Sequence, residues 1–458
     1  MTAVDALASY YRLPAVAARI AEYCGGQPSE PESFSSWSIA AYGGRQQLHE
    51  SDGAPVRRPN RELEAVLDEG ADVCRSLADH QGAILQLDVD YTNPRDPAEP
   101  YRDPAACFAH LEAVHEAALG AFARYGIRPL VVMTGRGYHF TLRAPHDSPF
   151  HSDLLALGAP PASLRRRYAA SGPALAAAMG KAHDGAGRLL EHLAHEIVRA
   201  LRGRATVPVS LADLKPPRDG PFVCLDLTAY ADPLFERSAR CGFSGNQKAS
   251  FTGVAPERPF VVNLPRASGD RLTDLSRDRE DPIAAAARAR RVTTRIPDLR
   301  EAGAWVAAYR CGPLARFHSA FDAGPQLRRR EWPYTYDSLD LRTLPACART
   351  ALAYPNPALL VPVHLRTIAL GLWGLGWHPR SVAGLVRSRY EKDFGWGDLW
   401  RRYDPAARAE FYVRVFCGAV AGGLDDPSEF TCESQARRGV CLGGGCGWDL
   451  ERLVRSAS

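Results

Sequence analysis

The segment "LQLDVDYTNP", residues 85 to 94, sets two carboxylates, Asp88 and Asp90, two positions apart inside an apolar run. Side chains of a strand alternate, so both carboxylates face one side with Cα atoms about 6.5 Å apart. Like charges at that distance resist burial unless a cation lies between them, and a divalent metal is the economical choice. The alternative is a strand that stops before Asp90, with Tyr91-Thr92-Asn93-Pro94 as a turn. A second segment, "TGRGYH", places Thr134, Arg136 and His139 around a turn in which Gly135 and Gly137 let backbone amides approach an anion. A third, "FVCLDL", carries Asp226 near the end of another apolar strand, with Lys248 downstream. Metal ions bridging such carboxylates to a triphosphate, with Arg and Lys balancing the remaining charge, is the chemistry these residue types suit. Asp232, in the loop "YADP", is an alternative third carboxylate whose context suits a turn. No Walker or kinase glycine-rich sequence occurs, which argues against phosphate transfer from ATP as the main reaction.

The elements that must position these residues alternate. A buried strand at about 83–89 precedes a proline-rich loop and a helix that starts at Asp103 and Pro104, an N-cap and first-turn pair. Phe108, Leu111, Val114, Leu119 and Phe122 recur at near-helical spacing, and Gly126 ends that helix. Strands at 130–134 and 138–143 follow. The order strand, helix, strand, strand predicts an α+β sheet with helices on one side. Residues 151–203 read as a helical insertion, amphipathic in "GRLLEHLAHEIVRALRG", and the strand 222–227 rejoins the sheet. Residues 265–340 read as a polar linker or helical bridge, and 341–458 as a third region.

The chain has 458 residues, 46% apolar and 24% charged, which predicts a soluble protein of two or three domains. No apolar run reaches 18 residues and the N-terminus lacks a signal-peptide pattern, so a cytoplasmic protein without a membrane span is expected. A net charge of +4 permits a nucleic-acid partner. The runs Arg165–Arg167, Arg288–Arg295 and Arg328–Arg330 read as solvated helix faces.

Eleven cysteines include Cys432, Cys441 and Cys446 in "FTCESQARRGVCLGGGC", a spacing that suits a metal in a reducing compartment. Between Cys347 and Cys432, a stretch mixes aromatic and basic residues: Arg380, Arg387, Arg389, Tyr390, Lys392, Trp396, Trp400, Arg401, Arg402 and Tyr403. It reads either as a surface for single-stranded template or as a helical core with exposed arginines.

The ordered set "LQLDVD", "MTGRGYH" and "CLDLTAYADPLFERSARCGFSGNQK" resembles the three motifs of the archaeo-eukaryotic primase superfamily, and "GRGYH" is especially close to the primase small subunit. The resemblance implies that Asp88, Asp90 and Asp226 bind two divalent ions, Mg²⁺ or Mn²⁺. It implies also that Thr134, Arg136 and His139 hold the phosphates of an incoming nucleotide. Arg240, Ser244 and Lys248 match the family's basic residue and Ser-x-His-x-Lys segment, while Asn246 stands where the family has histidine. "LPACART" and the later cysteines resemble the iron-sulfur domain of the primase large subunit. That implies a [4Fe-4S] cluster on Cys347, Cys432, Cys441 and Cys446, with zinc as the alternative metal and Cys417 as the alternative fourth ligand.

The expectation is therefore a single-chain DNA primase-polymerase. Residues 1–264 would form the catalytic domain with an RRM-like sheet, joined through 265–340 to a helical cysteine-cluster domain at 341–458. Its substrates would be NTPs or dNTPs on single-stranded DNA, beside a helicase, a nuclease or another replication or defence partner. A catalytically idle nucleotide-binding module and a metal-dependent phosphohydrolase are the other readings of the same residues.

Overall fold

The computed structural model describes residues 3–42, 56–170, 175–212, 220–248, 260–353, 357–392, 403–425, 430–441 and 446–455. In chain order its strands are β1 (Ile39–Tyr42), β2 (Val56–Arg58), β3 (Asp72–Ser76), β4 (Gly82–Thr92), β5 (Leu130–Met133) and β6 (Gly137–Pro145). Then come β7 (Val209–Leu211), β8 (Phe222–Asp226), β9 (Ser238–Arg240), β10 (Gly245–Asn246), β11 (Val261–Val262) and β12 (Leu264–Pro265). The fold is α+β. One sheet runs β12-β5-β6-β4-β8-β7, antiparallel except for the parallel pair β7–β8.

Strand β4 is the longest and sits inside that sheet. Leu85, Leu87, Val89 and Tyr91 alternate with Gln86, Asp88 and Asp90, so one face is apolar and the other carries the polar set. The apolar face packs on the helix Pro104–Ala123. Phe108 meets Tyr138 edge to face at 5.4 Å, and Tyr91 stacks on His110. Each such aromatic pair adds about 0.5–1.5 kcal/mol beyond burial, which makes a stiff floor beneath the carboxylates. The helix begins as its sequence predicts: the Asp103 carboxylate accepts from the Ala106 N–H at 3.0 Å, and Gly126 closes it at φ +70°. The amphipathic helix Leu175–Ala200 packs beside it and against β4.

A second sheet, β2-β1-β3-β9, faces the polar side of the first. Nothing in the local sequence pattern announced it. Its strands are short, three to five residues, and two of them lie more than 150 positions apart in the chain.

Residues 265–340, read as a polar linker or helical bridge, contain helices that pack on the first sheet and its flanking helix. Trp305, fully buried in the helix Gly303–Cys311, stacks on Tyr125 and meets Phe122 edge on. The Leu299 N–H donates to the Arg143 carbonyl at 2.7 Å, so the bridge also hydrogen-bonds to β6. Beyond it the helices Ala346–Leu352, Pro362–Gly374, Pro379–Tyr390 and Pro405–Ala421 share one continuous apolar core with the sheets. A buried ion network ties the regions together: Asp184 accepts from Arg188 at 3.0 Å and lies 3.4 Å from Arg414, while Arg188 also donates to Asp322 at 2.7 Å. No helix among the described residues is long and apolar enough to cross a membrane.

Candidate functional site

Strand β4 continues to Thr92, so Asp90 lies within the strand and the alternative of a strand end before it does not hold. Antiparallel register then fixes the neighbours. Asp88 has His139 of β6 as its Cα partner on one side and Asp226 of β8 on the other; Asp90 has Gly137 and Cys224. Partners in register point to the same face, so His139, Asp88 and Asp226 form one row across three adjacent strands.

The row is electrostatically loaded. His139 Nε2 lies 3.4 Å from Asp88 Oδ1, and that oxygen is buried and takes no hydrogen bond. Burial, with the charges of Asp90 and Asp226, pushes the Asp88 carboxyl well above the usual carboxylate range. Burial also lowers His139 to about 4, against the pull of Asp90, so its imidazole is neutral. Asp90 has its own counter-ion: Arg136 donates to it from Nε at 2.9 Å and from Nη2. Strand β8 stops at Asp226, whose Oδ1 accepts the Thr228 N–H at 2.7 Å. One residue row further on, where β4 has lost that neighbour, the Tyr230 hydroxyl takes both the N–H and the carbonyl of Gln86.

The glycine turn is tight for a steric reason. A Cβ on Gly137 would run into the Val89 carbonyl of β4, so only glycine allows this approach. The Thr134 N–H closes the turn on the Gly137 carbonyl at 2.8 Å, and Arg279 caps the Gly135 carbonyl at 3.2 Å.

Between the two sheets lies a cavity of about 190 Å³. Asp88, Asp90, Thr134, Gly135, Arg136, His139, Arg240, Asn246 and Lys248 all line it, drawn from four parts of the sequence. Arg240 is held there by Asp72 at 2.8 Å and lies over the Tyr42 ring. Burial and the nearby Arg136 lower Lys248. Ser244 is not brought to the cavity. Its hydroxyl is fully buried beneath, accepting the Val73 N–H at 2.7 Å and bonding Tyr11, so it anchors the segment that carries Asn246 and Lys248. Asp226 lines an adjoining groove instead, together with Asp90 and Arg136. Asp232 is buried between Arg237 and Arg408, a structural ion cluster.

Tyr42, Cys74, Gln86, Tyr101 and Ser238 also line the cavity and were not singled out in the sequence. Gln86 had a signal, since it sits two residues before Asp88 on the same face. Tyr42 and Cys74 had none, because they arrive on the second sheet.

The cysteines of the C-terminal region are neighbours. Cys347 feels the charges of Cys441 and Cys432, and the Cys446 sulfur accepts N–H groups from Trp448 and from Ala346, the residue before Cys347. Cys417 is buried in the middle of the helix Pro405–Ala421 and takes no part. Among the described residues no three His, Cys, Asp or Glu side chains already converge as a formed metal site. An orphaned buried carboxylate oxygen suits a hard cation, and free thiols suit a soft one.

The described members of the aromatic and basic stretch are engaged in packing. Tyr390 is buried with its hydroxyl on the Leu359 carbonyl, Arg389 pairs with Asp337, Arg387 with Glu391, and Arg380 bonds the Asp322 carbonyl. Trp396, Trp400, Arg401 and Arg402 lie outside the described residues. Compared with known proteins, the chain matches no family model, no curated protein and no solved structure.

Proposed function

We propose that the protein is a primase-polymerase that joins nucleotides on a single-stranded DNA template. The observation that carries this reading is the row His139, Asp88 and Asp226 across three strands, of which His139 and Asp88 open with Asp90 onto a cavity bordered by Arg136, Arg240 and Lys248, and Asp226 onto the adjoining groove. The chain order β4, helix, β5, β6, helices, β7, β8 and the spatial order β5-β6-β4-β8-β7 support reading the sheet as RRM-like.

Arg136, Arg240 and Lys248 offer three cations to a triphosphate. Thr134 and Asn246 offer polar side chains beside the glycine turn, and neutral His139 gives one hydrogen bond to a phosphate oxygen. Mg²⁺ or Mn²⁺ held by Asp88, Asp90 and Asp226 would neutralise phosphate charge and make the attacking hydroxyl more acidic. Arg136 serves as the counter-ion of Asp90 and lines the cavity that would take the phosphates. Cys347, Cys432, Cys441 and Cys446 would hold a [4Fe-4S] cluster, or zinc, that stiffens the C-terminal region.

The test is incubation with single-stranded DNA, labelled NTPs or dNTPs and Mn²⁺ or Mg²⁺, without primer, followed by separation of products by length. Short oligomers absent with Asp88→Ala establish the primase. Products only when a primer is supplied leave a polymerase. Release of inorganic phosphate without extension indicates the phosphohydrolase, and binding without any product the idle module.

A further inference from the structure

Another cavity, of about 510 Å³, opens toward the far end of the β4–β6 ladder and shares no lining residue with the one that holds the carboxylates. Arg143 of β6 lines it. That residue has Ile84 as its partner in register, four positions along the strands from the pair Asp88–His139 and so about 13 Å away. Four arginines from separate segments meet there: Arg19 of the helix Pro14–Tyr23, Arg75 of β3, Arg143, and Arg295 of the bridge. Among the described residues Glu22 is the one carboxylate of the lining, and both its oxygens are occupied. Oε1 accepts from the Thr293 hydroxyl, and Oε2 from Arg19 and from the N–H and hydroxyl of Thr294. Behind the lining, Asp79 holds Arg75 and Asp298 holds Arg143. Arg143 donates from Nε to Asp298 at 2.6 Å and from Nη1 to Gln81 at 2.7 Å, which leaves its Nη2 without an acceptor among the described residues. The Arg295 side chain is exposed and has no ion-pair partner among them.

Even with the carboxylates behind the wall counted, the charge is positive: four arginines stand against Glu22, Asp79 and Asp298. A concave surface focuses such an excess. A cation finds no unoccupied carboxylate here, whereas an anion finds the whole Arg295 guanidinium and the open Nη2 of Arg143. Two forked cations match a group with about two negative charges and three acceptor oxygens, which is a phosphate monoester rather than a carboxylate. Ala18, Pro28 and Ile296 add an apolar side, and the volume lies within the range of about 300–1,000 Å³ that takes small organic ligands. We infer that this cavity is a separate site for a phosphorylated small molecule, with its phosphate between Arg143 and Arg295 and its organic part toward Ile296. The inference does not depend on the nucleotidyl-transfer reading. Arg295 and Ile296 belong to the bridge and Arg143 to the sheet, so the ligand fastens one to the other. It does so beside the seam in which the Arg143 N–H donates to the Pro297 carbonyl and the Leu299 N–H to the Arg143 carbonyl.

The experiment titrates the full chain with inorganic pyrophosphate and with ADP by isothermal calorimetry, in EDTA so that no metal assists the carboxylate cavity. The same titrations are repeated in an Arg136→Ala background, which disables that cavity. Binding should survive Arg136→Ala and weaken about tenfold when Arg295→Gln is added, the scale of one charge-assisted contact. Arg295 is exposed and unpaired, so the substitution leaves the fold intact. Gln27→Glu, which puts a repelling charge at an exposed position of the lining, should weaken binding likewise. Succinate, a dicarboxylate, should compete poorly. Absence of binding by either probe, loss of binding in Arg136→Ala alone, or unchanged affinity in both Arg295→Gln and Gln27→Glu overturns the site. Displacement of ADP by succinate, or by a thymidine oligonucleotide without terminal phosphates, at concentrations below that of ADP overturns the ligand class, the second by assigning the arginines to the backbone of a strand.

Discussion

Asp88 and Asp226 are direct cross-strand partners, Cα opposite Cα in the antiparallel pair β4–β8. Like charges placed so destabilise a sheet, and here Asp90 adds a third. Such an arrangement persists where function requires it.

Asp88→Asn should therefore separate stability from activity. The variant keeps the shape and removes the buried charge, so the metal-free protein should melt no lower than wild type, with Tm rising about 1 °C for each kcal/mol recovered in a chain of this length. Primer synthesis should fall to background. Differential scanning calorimetry beside the primer-free assay checks both; a clearly lower Tm, or retained synthesis, contradicts the assignment of Asp88.

Arg136 holds Asp90 and faces the cavity. Arg136→Ala should raise KM for the nucleoside triphosphate about tenfold or more, the scale of a lost contact to a charged group. Arg136→Lys should recover only part, since one ammonium cannot reproduce the fork. Steady-state kinetics with the nucleotide varied at fixed template reads this directly.

The two cysteine environments predict opposite phenotypes. Cys441→Ser should lower bound metal in anaerobically purified protein and weaken initiation more than elongation. Cys417→Ser, in the apolar interior of its helix, should leave metal content unchanged and lower Tm. Elemental analysis decides the metal: zinc without iron would keep the ligands and replace the cluster.

Asp184 gives a pH prediction. Burial would raise its carboxyl, but Arg188, Arg414 and the Ala159 N–H outweigh it and hold it well below the ordinary value of 3.8. A depressed carboxylate contributes stability above its unfolded pKa and loses it as pH falls below that value. The acid limb below pH 3.8 should accordingly be shallower in Asp184→Asn. At neutral pH the substitution should cost about 3 kcal/mol, the low end for a broken buried pair, because Asp322 and Glu191 still face the arginines. Urea unfolding at several pH values measures both.

Much of this was legible in the sequence. Alternation put Asp88 and Asp90 on one face and apolar residues on the other; Asp103, Pro104 and Gly126 marked the ends of the supporting helix; Gly135 and Gly137 marked a tight turn. These are properties of a few consecutive residues, set by side-chain periodicity, capping and backbone sterics. Tertiary structure alone decided which distant pieces meet. It placed Asp226 opposite Asp88, brought Tyr42, Cys74 and Arg240 over the polar row on a second sheet, and buried Ser244 under the segment it anchors. It also turned Arg389 and Tyr390 inward. Strand register across long loops and the burial of one residue type rather than its neighbour depend on packing between segments far apart in the chain, and no local pattern encodes that.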